Sequence, residues 1–190
     1  MNKPLLFVRG TTVDAARRYM ERSMGTNAWK AFEDKLTPDQ HKLFQEPVRR
    51  RDWYEMELYS TAIDIGAQTI GAENPQSYLE GLGRFVMDDG VNSLYKAFFR
   101  IASPSFVLRG SALLWGMFFK GSKLKVENRG KRFVTTAIHG APFCQPSLCS
   151  SIGGGMLSAL EHAGATNVRL ETHQCRSTGG DRCSFSFQWN

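Results

Sequence analysis

Apolar positions recur at helical spacing through roughly the first 120 residues and at every second residue beyond Gly121. Thr11 with Asp14 three residues on predicts a helix that stops near Gly25, and Trp29, Phe32 and Leu36 mark one face of a second. Thr37-Pro38-Asp39-Gln40 offers cap, first-turn proline and reciprocal glutamine for a short third helix. Asp52 with Glu55 predicts a longer one over 52–69, in which Tyr54, Leu58, Ala62 and Ile65 recur at helical spacing. Asn74-Pro75 opens the next, with Tyr78, Leu82 and Phe85 inward until Gly90. Leu94, Phe98 and Ile101 line a further helix, and Ser103-Pro104 restarts the chain in a last one reaching Phe119, apolar almost all round. Ahead of them all, Leu5–Val8 reads as a short strand or a hydrophobic staple.

Past Gly121 the pattern is extended. Leu124 and Val126 alternate with lysine and glutamate, Asn128-Arg129-Gly130 supplies a turn, and Lys123–His139 predicts a β-hairpin. A helix follows over Gln145–Ala163, stopped by Gly164. Asn167–Cys175 alternates like a half-buried strand and Thr178–Arg182 is turn chemistry. Cys183, Phe185, Phe187 and Trp189 then share one face of a final strand. The expected class is α+β: a helical region over 1–120 packed on a four-stranded antiparallel sheet, with C-terminal order β-β-α-β-β over 121–190, all in one domain.

Composition adds limits rather than direction. With 42% hydrophobic and 22% charged residues in 190, the chain can bury a real core. The leading apolar run, Leu5–Val8, is too short for a signal peptide, and no window approaches a membrane span, so a cytoplasmic protein with reduced cysteines is expected. A net charge of +6 is carried partly by Arg49–Arg51, Lys120–Lys125 and Arg129–Arg132. These clusters flank a helix start and a hairpin, where solvated charge is ordinary, and no helix-turn-helix or zinc-finger spacing accompanies them, so nucleic acid is not an expected partner.

The tail motif Cys175-Arg-Ser-Thr-Gly179-Gly-Asp181-Arg-Cys183-Ser-Phe185, after a glycine-bearing apolar helix and a strand, resembles the 4-vinyl-reductase domain. It is similar as well to that domain's relatives in the ligand-binding superfamily of nitric-oxide signalling and Golgi transport, which includes the TRAPP tethering subunits. Trp53-Tyr54, Leu82-Gly83-Arg84 and the Ser103-Pro104 helix resemble an uncharacterised bacterial family of similar length. The resemblance implies a binding module, often dimeric, and in relatives that sense aromatic compounds a structural zinc on three cysteines and a glutamate. Those cysteines correspond to Cys149, Cys175 and Cys183, whereas the glutamate position holds Thr172.

Zinc takes four cysteine, histidine or carboxylate ligands. Strand alternation puts Glu171 and His173 on the face of Cys175, so either is a candidate fourth ligand; buried free thiols without metal are the alternative. Cys144, between Pro142 and Pro146, is expected in an exposed loop, and a Cys144 nucleophile with His139 as base lacks an orienting third group. His41 and His162 read as solvated. Haem is not expected, because the Tyr-x-Ser-x-Arg signature of haem-based nitric-oxide sensors is missing. Gly153-Gly154-Gly155 costs a helix about 1 kcal/mol per residue, which points to close backbone approach to the sheet or to a second copy, or to room for a ligand. Phe98, Phe106, Trp115 and Phe118 are the expected walls of an apolar pocket, with plain core as the alternative.

The expected function is a non-catalytic sensory or adaptor module that binds an apolar or aromatic molecule, homodimerises through its helical part and signals through a protein partner. The alternatives are a TRAPP-like interaction module without ligand and a reductase, the latter lacking any Gly-x-Gly-x-x-Gly fingerprint.

Overall fold

The last strand of the chain lies inside the larger sheet. A computed structural model describes residues 5–44, 47–70, 74–90, 103–141 and 144–190. In it β7 (Cys183–Gln188) lies between β5 (Phe133–His139) and β6 (Arg169–Gln174), and β4 (Lys123–Arg129) completes an antiparallel sheet of order β4-β5-β7-β6. The register pairs Val134 with Phe187, Thr136 with Phe185 and Ile138 with Cys183, so one face carries large buried side chains. The other carries Thr135, Ser184 and Ser186. This is the predicted α+β arrangement, with the C-terminal elements in the predicted order.

The inner face of that sheet shares one core with α6 (Pro146–His162), whose Leu148, Ile152, Leu157 and Leu160 are buried. On its far side α6 is crossed by α4 (Pro75–Gly90). Their backbones meet at glycines. A Cβ on Gly83 would overlap the Ser151 carbonyl oxygen, one on Gly154 the Glu80 carbonyl oxygen, and one on Gly155 would lie 3.3 Å from Gly83 O. The glycine triplet is thus spent on approach to another helix, with only Gly153 turned toward the sheet residue Leu170.

A second sheet, of order β2-β1-β3, joins distant parts of the chain: β1 (Phe7–Arg9) pairs with β2 (Trp53–Glu55) and with β3 (Phe119–Lys120). The short strand expected near Leu5–Val8 is therefore present. The helix predicted from Asp52 begins later, as α3 (Met56–Thr69), because Trp53 and Tyr54 are strand formers that pair with Arg9 and Val8. Likewise α1 (Gly10–Glu33) starts without the predicted Thr11–Asp14 cap, and Gly25, at φ 64°, bends it into two helical stretches. Asp14 binds Arg18 and Arg50 instead.

Two caps follow the sequence closely. Before α2 (Pro38–Phe44), Thr37 N–H donates to Gln40 Oε1 at 2.9 Å and Gln40 N–H to Thr37 Oγ1 at 3.3 Å. Ser103 Oγ accepts from Phe106 N–H at 3.3 Å ahead of α5 (Pro104–Phe118), with the proline in the first turn. The helix predicted around Leu94, Phe98 and Ile101 lies outside the described residues. Among the described residues no helix is long and apolar enough to cross a membrane.

Candidate functional site

Helices α4, α5 and α6 and the start of β4 line an apolar pocket of about 100 Å³. Val86 and Met87 come from α4, Val107, Trp115 and Phe118 from α5, and Ile152, Met156 and Ala159 from α6, with Leu124 at the sheet end. Polar groups are few. The Tyr59 hydroxyl pairs with Ser151, and burial pushes that phenol's pKa well up, so it stays neutral. Trp115 turns its indole N–H outward to Ser122 Oγ at 3.2 Å, leaving its ring to the apolar wall.

Of the expected pocket walls, Trp115 and Phe118 line this cavity. Phe106 does not: it sits in the first turn of α5, 47% exposed, while its neighbour Val107 faces inward. Phe98 lies outside the described residues. A contribution of α4 to the pocket was not expected, although Val86, four residues beyond Leu82, continues the Tyr78–Leu82 stripe.

Beside the cavity, at the start of α6, the four cysteines of the chain converge. Cys149 Sγ lies 3.0 Å from Cys144 Sγ, 3.2 Å from Cys175 Sγ and 3.3 Å from Cys183 Sγ, and Cys175 and Cys183 are 3.8 Å apart. All four sulfurs fall within 4.8 Å of one another. Sulfurs held tetrahedrally at Zn–S of about 2.3 Å stand about 3.8 Å apart, so the donor set and its scale fit zinc. The Cys144 and Cys149 thiols, followed by the Arg176 backbone N–H, stabilise a thiolate at Cys183 and hold it at about 3, against desolvation. Cys149 is pushed far up in turn, first by its hydrogen bond with Cys144 and then by that with Cys183.

Cys144 was expected to be an exposed loop thiol. Instead α6 begins two residues after it, at Pro146, which brings the thiol onto the Cys149 side chain. His139, its imagined base, instead approaches Glu127, at 3.4 Å.

His173 and Glu171 stand apart from the cysteines for a definite reason. The β6–β7 register runs Thr172↔Phe185 and then Gln174↔Ser184, a bulge that absorbs His173. Without it Cys175 would share the outward face of Glu171 and His173; the extra residue returns Cys175 to the inner side. His173 Nε2 is left on the outer face, 2.5 Å from Ser186 Oγ.

No family model matches the chain, and no curated protein matches it. Solved structures do. The fold is similar to an H-NOX protein from Shewanella oneidensis in the Fe(II)NO ligation state, at 13% identity and TM-score 0.71, covering 96% of this chain and 99% of that one. It is also similar to the unliganded Fe(II) H-NOX protein from K. algicida, at 10% identity and TM-score 0.72, with 96% of each chain covered. An oxygen-binding H-NOX domain related to soluble guanylate cyclases, in its oxygen complex, matches at 9% identity and TM-score 0.66 over 96% and 95%. The chain has the H-NOX fold. The solved neighbours are H-NOX rather than 4-vinyl-reductase domains.

These neighbours correct one expectation. Haem had been set aside on a missing signature, yet proteins of this same fold were solved with ferrous iron in unliganded, nitric-oxide and oxygen states, the chemistry of a haem centre. The missing signature therefore excludes nothing. The described lining has a different composition from a histidine-held iron site. All four histidines, His41, His139, His162 and His173, lie outside it, and 100 Å³ is below the ~300–1,000 Å³ of pockets that enclose a large organic ligand. The residues that line the pocket do not fit a histidine-held porphyrin.

Proposed function

We propose that this chain is a small-molecule sensory module whose ligand is a compact apolar molecule seated among α4, α5 and α6. The observation that carries the reading is the nearly all-apolar cavity at the centre of an H-NOX fold. Cavities of about 150 Å³ lined by aliphatic and aromatic side chains stay dry and bind benzene or xenon. At about 100 Å³ the free volume here is smaller, and it suits a ligand no larger than benzene. Binding is driven by apolar contact and removal of ligand surface from water.

In the same reading the four thiols hold zinc: the resemblance implies Cys149, Cys175 and Cys183 as ligands, and Cys144 takes the place of the glutamate. The metal ties the start of α6 to the β6–β7 hairpin, and α6 supplies one wall of the cavity. Zinc here is structural, since four protein ligands leave no open position. Native mass spectrometry of the purified protein beside a denatured sample tests this part. The expected result is one zinc per chain, lost with a lower Tm in Cys183→Ser; full-length protein free of zinc and unaffected by the substitution contradicts it.

A second reading, an interaction module that dimerises, rests on a separate observation. Phe106 and Met117 are 47% and 38% exposed on α5, and their separation of eleven residues puts them on one helix face. Phe106→Asp should shift a dimer to monomer in sedimentation if that face is an interface; an unchanged sedimentation coefficient removes it.

A further inference from the structure

The outward face of the larger sheet carries an ordered polar row that the core does not require. Ser186 on β7 stands opposite Thr135 of β5 on one side and Glu171 of β6 on the other. Its Oγ lies 3.1 Å from Thr135 Oγ1 and 2.5 Å from His173 Nε2. The second ring nitrogen, Nδ1, faces Glu171 Oε1 at 3.8 Å. Hydroxyl, imidazole and carboxylate thus follow one another in the order of nucleophile, base and orienting acid. The bulge that turns Cys175 inward is also what aims His173 at Ser186, a use to which bulges beside reactive sites are put.

We propose that Ser186, His173 and Glu171 form an acyl-transfer site on the outer sheet face, acting on small carboxylic esters that carry an anionic group. The substrate class follows from the neighbouring residues. Arg169 and Gln188 pair on the same face, one alternation along from Glu171 and Ser186, and with Asn167, Trp189 and Asn190 they line a polar cavity of about 200 Å³. Two residues along a strand span about 7 Å, the length of a short ester. An anion held at Arg169 therefore leaves its ester carbonyl within reach of Ser186.

The steps balance with ester and water alone. With a proton on Nδ1 toward Glu171, His173 takes the Ser186 proton at Nε2 while Oγ bonds to the carbonyl carbon. The bond from that carbon to the alcohol oxygen breaks, and His173 returns the proton to the leaving oxygen. Water attacks the acyl-serine by the same route, which releases the carboxylic acid and restores Ser186. Thr135 donates to Ser186 Oγ and fixes its rotamer. His173 and Glu171 are 39% and 74% exposed, so the site is open to solvent and its turnover slow.

The test treats the full-length protein with a fluorophosphonate probe and maps the adduct by peptide mass spectrometry. The expected result is a single adduct at Ser186, absent in Ser186→Ala. His173→Gln, which keeps a hydrogen-bonding side chain beside Ser186, should slow labelling by about 100-fold, the contribution of a positioned base, with near-wild-type Tm. Folded protein that gives no adduct at Ser186, or an adduct that His173→Gln forms at the wild-type rate, overturns the proposal. The zinc content and the apolar cavity are read separately, so neither outcome bears on the sensory reading.

Discussion

At the scale of single residues, one inserted position and two glycines decide most of the site. The bulge at His173 was invisible to strict alternation, since nothing in Arg169–Gln174 marks where the period slips. Its effect is large, because it sorts Cys175 to the cysteine cluster and His173 to the surface. Three of the clustered thiols were legible from their resemblance and their elements; Cys144 was not, since its place depends on where α6 begins. Gly83 and Gly154 each lie hard against a carbonyl of the other helix. Gly154→Ala is expected to destabilise by about 1–3 kcal/mol or more, because backbone cannot move aside as a side chain would. Urea unfolding measures it, and a loss below 0.5 kcal/mol, the surface range, would show that α4 and α6 are not so closely seated.

At the scale of elements, caps and long periodic runs were readable and the pairing of three-residue strands was not. The Thr37–Gln40 box and the Ser103 cap stand as the sequence predicted, each with a proline in the first turn. Ser103→Ala should cost about 1 kcal/mol and lower Tm by a few degrees, and calorimetry checks it. Of the small sheet only the first strand was anticipated, near Leu5–Val8 and with a staple as the alternative, because strands as short as Trp53–Glu55 have no measurable period and pair only when Val8 meets Tyr54 and Phe119. α5 was read as apolar all round. Its inward residues Val107, Trp115 and Phe118 wall the cavity, while Phe106 stays outside, a distinction that composition alone could not draw. Filling the cavity from α6 with Ala159→Phe should abolish binding of small aromatics and leave the cysteine cluster intact.

At the scale of the whole molecule, a chain only 13% identical to an H-NOX protein keeps that fold over 96% of its length. The arrangement is layered: helices on one sheet, an apolar space between them, and a hairpin at the end of the chain. The described lining of that space supplies aromatic and aliphatic walls and none of the four histidines. Isothermal titration of the purified protein with benzene, beside Ala159→Phe, tests the central claim most directly. The account predicts saturable binding of one benzene per chain with a negative heat-capacity change, lost in the variant. No binding to the intact protein, or equal binding to the variant, would contradict it.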